Sequence, residues 1–188
     1  MKHLLNLSIL GVLAVFFAAC MGNSTVSGNG DNNDSDSVAV VTVPDTAVYG
    51  IIDESTTMHM LTIILEDGKT KTFSMNLDSI ESDIQGGLFA GDKVTLTAVK
   101  GEENMSVKKL VNLNTLLGKW TSLARNFQIM DNGVVESNAT AETNPYTQWQ
   151  MSNAQIILNN DTFDVLSLGA DSLALENSKG IFVYKRQK

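Results

Sequence analysis

Cysteine occurs once in these 188 residues, proline and histidine twice each, and bases are outnumbered, 13 Lys and Arg against 21 Asp and Glu. A lone Cys excludes an internal disulfide and any multi-cysteine zinc site. A formal charge of −8 argues against a sequence-independent grip on DNA or RNA, which depends on cations neutralising phosphates. The chain also lacks Gly-x-x-x-x-Gly-Lys-Ser/Thr, Gly-x-Gly-x-x-Gly and Gly-x-Ser-x-Gly, so nothing points to a phosphate loop, a dinucleotide site or a nucleophile elbow. A carboxylate pair of the glycosidase kind needs only two acids, and no two acids stand out for that work. The expectation is a protein that is not an enzyme and has no cofactor. What is present is 43% hydrophobic residues, enough for a core, in a length that fits one ordinary domain or two small ones.

The first residues read as an address. Met1-Lys2-His3 is a short basic start, and Leu4 to Ala19 is an apolar run broken by Asn6, Ser8 and Gly11. That run is shorter than the ~20 apolar residues of a bilayer span and suits the core of a signal peptide over residues 1–19. It ends Phe17-Ala18-Ala19-Cys20. This resembles the lipobox of bacterial lipoproteins, which implies cleavage before Cys20 and lipidation of its thiol. The implied location is the bacterial cell envelope, lipid-anchored, with the outer membrane facing the periplasm as first choice. Residues 20–44 are rich in Gly, Asn, Ser and Asp, and read as a flexible tether. Asp36-Ser37-Val38 and Asp45-Thr46-Ala47 are similar to the Asp-Ser/Thr-aliphatic sites glycosylated in exported Bacteroidetes proteins.

From Thr46 onward the apolar pattern has a period near two, the mark of short strands. In residues 45–113 strands are expected over Ala47–Glu54, Met58–Glu66, Lys69–Asn76, Asp92–Lys100 and Met105–Asn112, with a helix over Leu77–Gly87 from the spacing of Leu77, Ile80 and Ile84. Three strands, a helix and two strands is the order of an OB-fold. Gly87-Leu88-Phe89-Ala90-Gly91-Asp92-Lys93-Val94 resembles the approach to the fourth strand in bacterial OB modules. Nucleic acid is not the expected partner of this module. It has eleven acids against six Lys, a net of −5, and only Tyr49, Phe73 and Phe89 as aromatics.

Residues 114–188 hold eight further candidate strands, from Lys119–Leu123 to Ile181–Arg186. Eight antiparallel strands in chain order suggest an up-and-down barrel. Gly118-Lys119-Trp120, Tyr146-Thr147-Gln148-Trp149, Val165-Leu166-Ser167-Leu168 and Tyr184-Lys185-Arg186 resemble the small lipocalin-like (calycin) domains of Bacteroidetes lipoproteins. That resemblance implies that Trp120 closes the barrel and that Arg186 lies across its ring. The expected fold class is therefore mainly β, an OB-like five-stranded barrel with one helix followed by a small eight-stranded lipocalin-like antiparallel barrel. The pairing is similar to NlpE-type lipoproteins, in reversed order and without their Cys-x-x-Cys, so a copper role does not carry over.

Strand alternation puts Phe127 with Ile129, Trp149 with Met151, and Ile156 with Leu158 on common faces. Turned inward, Phe127, Ile129, Trp149, Met151 and Ile156 would line an apolar lumen. An eight-stranded barrel is just wide enough either to be filled by side chains or to hold one small ligand. Two functions follow: a lipid-anchored, non-catalytic binding protein for a small hydrophobic molecule, or an adaptor, envelope sensor or inhibitor with a filled barrel and an envelope protein as partner. Met58-His59-Met60 is read as a partly buried strand segment and not as a metal site, since alternation sends His59 away from the two thioethers.

Overall fold

Period-two apolar alternation becomes strand wherever one face finds a partner to bury against. The computed structural model describes residues 43–75, 82–101, 104–137 and 144–188, and over these the chain is mainly β. The expected signal peptide (residues 1–19), Cys20 and nearly all of the expected tether (residues 20–44) lie outside the described residues. The described residues belong to one compact unit.

The first sheet is built from β1 (Val48–Ile52), β2 (Met60–Ile64), β3 (Thr70–Ser74), β4 (Asp83–Gln85), β5 (Lys93–Lys100) and β6 (Met105–Asn112). Its order is β3-β2-β1-β5-β6-β4, and a parallel contact of Ser74 with Ser106 joins β3 to β6. Five strands thus close in the order β1-β2-β3-β6-β5, an OB-like barrel. Ile52, Leu61, Ile63, Phe73, Val94, Leu96 and Leu110 fill it. At the β2–β3 turn Gly68 has a φ of +78°, a conformation that explains the Asp67-Gly68 pair.

The helix expected over Leu77–Gly87 is corrected where it can be seen. Residues 76–81 lie outside the described residues, and Asp83–Gln85 is a strand, parallel to β6. Tertiary partners override the helical spacing. Ile84 packs against the first core, and the Gln85 side chain accepts a hydrogen bond from the Leu168 amide. The one helix among the described residues is a single turn, α1 (Leu113–Leu116), where the side chain of buried Asn112 caps the Thr115 amide.

His59 also departs from expectation. It precedes β2 and is exposed, because the strand begins only at Met60.

The second sheet is a meander of eight antiparallel strands: β7 (Gly118–Thr121), β8 (Asn126–Ile129), β9 (Val135–Ser137), β10 (Trp149–Ser152), β11 (Gln155–Leu158), β12 (Asp161–Leu168), β13 (Ser172–Asn177) and β14 (Gly180–Arg186). β14 returns to β7, and a bridge between Val134 and Gln148 joins the β9 and β10 ends, so the sheet is a nearly closed barrel. Closure removes most of the exposed edge that an open sheet would present.

The two barrels are held together by polar contacts at one end of the second. Lys109 Nζ reaches Asp83 at 2.8 Å, Asp164 at 3.0 Å and the Val165 carbonyl at 2.8 Å. Gly86 N donates to Leu168 O. The Asn153 side chain accepts from the amide and hydroxyl of Thr46, and the Tyr49 hydroxyl oxygen lies 3.1 Å from Met151 O. Val111 and Leu116 belong to the apolar core of the second barrel.

Candidate functional site

The interior of the eight-stranded barrel is the first place to look, because the candidate lining residues converge there. Cross-strand partners share a face, so Trp149 opposite Leu158 and Met151 opposite Ile156 point inward with them. Phe127 and Ile156 have no exposed surface and Ile129 has 1%, while Trp149 and Met151 are half-buried. The structure therefore places all five in or against one apolar cluster.

That cluster contains aromatics that alternation alone did not single out. Tyr184 meets Phe127 edge to face at 5.1 Å, Phe127 meets Tyr146 at 5.5 Å, Tyr146 meets Phe163 at 6.3 Å, and Phe163 meets Phe182 at 5.8 Å. Each pair is T-shaped, the arrangement ring quadrupoles prefer, worth about 0.5–1.5 kcal/mol beyond the area buried. The chain of rings runs from β14 through β8 to β12, across the space a ligand would use. Tyr146 precedes β10, outside any strand, so period-two alternation does not predict its inward direction.

Two arginines stack on rings of this core. Arg186 lies over the Trp120 ring at 4.2 Å and donates to the carbonyls of Leu117, Thr115 and Ala170. Trp120 is fully buried, with its indole N–H bonded to Leu116 O at 2.8 Å. Gly118 explains its own identity: φ is +127°, and a Cβ would come within 2.4 Å of Arg186 Nη1. Arg125 lies 4.2 Å over the ring of Tyr146, the middle member of the series. Such contacts contribute about 0.5–2 kcal/mol each. Trp149 spans the β9–β10 seam, donating to Met130 O.

Three cavities are lined by described residues. A groove of about 370 Å³ on the first barrel is lined by Tyr49, Ile51, Ile64, Leu65, Lys93 and Leu113. A cleft of about 710 Å³ between the barrels is lined by Thr46, Asp83, Ala98, Val99, Lys109 and Asp164, among others. A hollow of about 140 Å³ outside the β9–β10 seam touches Trp149. None of the three is lined by Phe127, Ile129 or Ile156.

Tyr49 ties the groove to the second barrel. Its hydroxyl donates to Asp45 at 2.5 Å. Partial burial, with the Asp45 hydrogen bond and charge, pushes the phenol up to about 12. Burial alone would raise Asp45 too, but the Tyr49 hydroxyl and the amides of Asn153 and Ala47 outweigh it and hold the carboxyl below its ordinary value. Asp45 therefore serves as an anionic acceptor joining the two barrels. Among the described residues no group of three His, Cys, Asp or Glu is placed to hold a metal ion.

Comparison of the chain with known proteins finds no matching family model, no matching curated protein and no matching solved structure.

Proposed function

We propose that this chain is a lipid-anchored, non-catalytic protein of the bacterial envelope, with a lipocalin-like barrel that is a packed scaffold, and that it acts by contact with another protein. The observation that carries the reading is the interlocked series Tyr184–Phe127–Tyr146–Phe163–Phe182, with Arg125 stacked on its middle ring. A small hydrophobic ligand, the other function open at the outset, would have to displace side chains that already satisfy one another. Protein interiors pack at crystal-like density, so that displacement costs contacts before it gains any.

The anchor rests on the lipobox at Cys20. Several acyl chains at about 0.8 kcal/mol per buried CH₂ make such attachment effectively permanent. The outer membrane, with the folded part in the periplasm, is the proposed place. Replacing Cys20 with Ala is expected to move the protein from the membrane fraction to the soluble fraction on cell fractionation. Continued sedimentation with membranes would overturn the anchor. The scaffold part predicts that the protein takes up no lipid from an envelope extract, read by native mass spectrometry.

A further inference from the structure

β14 is paired on one side only over most of its length. β13 pairs with it from Gly180 to Lys185, whereas β7 reaches only Lys185 and Arg186. The two-residue hairpin turn between Asn177 and Gly180 fixes the hydrogen-bond phase: Gly180, Phe182 and Tyr184 bond toward β13, while Ile181, Val183 and Lys185 bond away from it. The bond from Gln187 N to Lys119 O, on the β7 side, agrees with that phase. The N–H and C=O of Ile181 and Val183 therefore face outward, and no hydrogen bond among the described residues meets them. Their side chains are 58% and 62% exposed. An unpaired edge with exposed β-branched residues is a template for another strand.

Charge is segregated onto the same strands. All six Lys and Arg of residues 114–188 (Lys119, Arg125, Lys179, Lys185, Arg186 and Lys188) lie on β7, the turn after it, or β14 with its hairpin and tail. From Asn126 to Ser178 there is no basic residue at all. Arg125 and Arg186 are committed to aromatic rings, and Lys179 to Asp161 at 2.9 Å. Lys119 and Lys185 are exposed and have no ion pair among the described residues.

We infer that the open edge of β14 binds an extended segment of another protein, one with β-branched residues opposite Ile181 and Val183 and carboxylates at the end beside Lys185 and Lys119. Main-chain bonds supply the attachment and the flanking lysines the selection. A second copy of this chain fits less well: two-fold antiparallel pairing about Phe182 would set Lys185 against Lys179 of the other copy, in a protein of net charge −8. The inference rests on the proposal of action by contact and names its surface. Lipid uptake by the barrel would overturn that proposal, while binding at β14 is scored separately.

The test is fluorescence anisotropy on the full chain in mild detergent with two labelled peptides, Glu-Glu-Val-Thr-Val-Thr-Glu-Glu and its Lys-flanked counterpart. The acidic peptide should bind, and more weakly as salt rises. Val183→Pro removes an outward donor without touching the β13 ladder, a place where an edge strand tolerates proline, and should weaken binding at least tenfold. Lys185→Glu should weaken the acidic peptide by a similar factor and favour the Lys-flanked one; it decides the matter if Val183→Pro does not fold. Equal binding to wild type and both variants, no binding of the acidic peptide, or dimerisation without peptide binding would each overturn the inference.

Discussion

Replacing Trp120 with Ala is expected to destabilise the protein by about 3–5 kcal/mol, the range for deleting a fully buried aromatic. Three losses add up. The cavity left at the centre of the second core cannot be refilled by Phe127, which pairs directly across from it and is itself held by Tyr146 and Tyr184. The Leu116 carbonyl loses its indole donor. Arg186 loses the ring beneath it, although its bonds to the carbonyls of Leu117, Thr115 and Ala170 remain. Trp120→Phe, which keeps a ring but no N–H, should cost clearly less. Denaturant titration followed by circular dichroism measures both. A change within about 0.5 kcal/mol for Trp120→Ala is what an exposed side chain gives and would contradict the closure described.

Lys109→Met is expected to cost about 2–3 kcal/mol. Lys109 is largely buried, with a side-chain exposure of 13%, and serves Asp83 from β4, Asp164 from β12 and the Val165 carbonyl at once. Removing the cation leaves two carboxylates facing each other and a carbonyl without its donor. Breaking a buried pair from one side costs about 3–5 kcal/mol, and the acids, each about 40% exposed, recover part of it from water. Because the contacts cross between barrels, the variant should also show a shallower, less cooperative denaturant transition. Adding Asp83→Asn and Asp164→Asn to it should restore part of the loss. If the triple variant is no more stable than Lys109→Met, electrostatics at this junction is not what the lysine supplies.

Strands were legible because their signals are local. In the second barrel all eight fall where period two and turn residues put them, with ends shifted by up to three residues, as at Trp149–Ser152, expected from Tyr146. Asp131-Asn132-Gly133 forms a turn whose residue types are ordinary turn chemistry, with Gly133 at φ +80°. The Asn153-Ala154 turn carried no glycine to announce it, yet both residues take positive φ, and the Asn153 side chain and amide then bind Thr46, Pro44 and Asp45. Ile84 misled for a physical reason. Its spacing with Leu77 and Ile80 suits a helix, but β6 offered Asp83–Gln85 a parallel partner, a long-range fact no local window contains.

The candidate site was legible in direction and not in outcome. Alternation sent Phe127, Trp149 and Ile156 inward, but whether the lumen is empty depends on Tyr146, Phe163, Phe182 and Tyr184 arriving from three other parts of the chain. The open edge of β14 was hidden for the same reason. It exists because β7 stops at Thr121, while Ser122 and Arg125 close a turn through the Ser122 amide and the Arg125 carbonyl.

The most direct test of a packed, contact-acting barrel is native mass spectrometry of the full chain, released gently from detergent after incubation with an envelope lipid extract. The account predicts the mass of the lipidated chain alone, with no further mass that disappears on denaturation. A discrete adduct lost on unfolding, and abolished when Ile156 is enlarged to Trp, would show that the barrel holds a ligand and contradict the account.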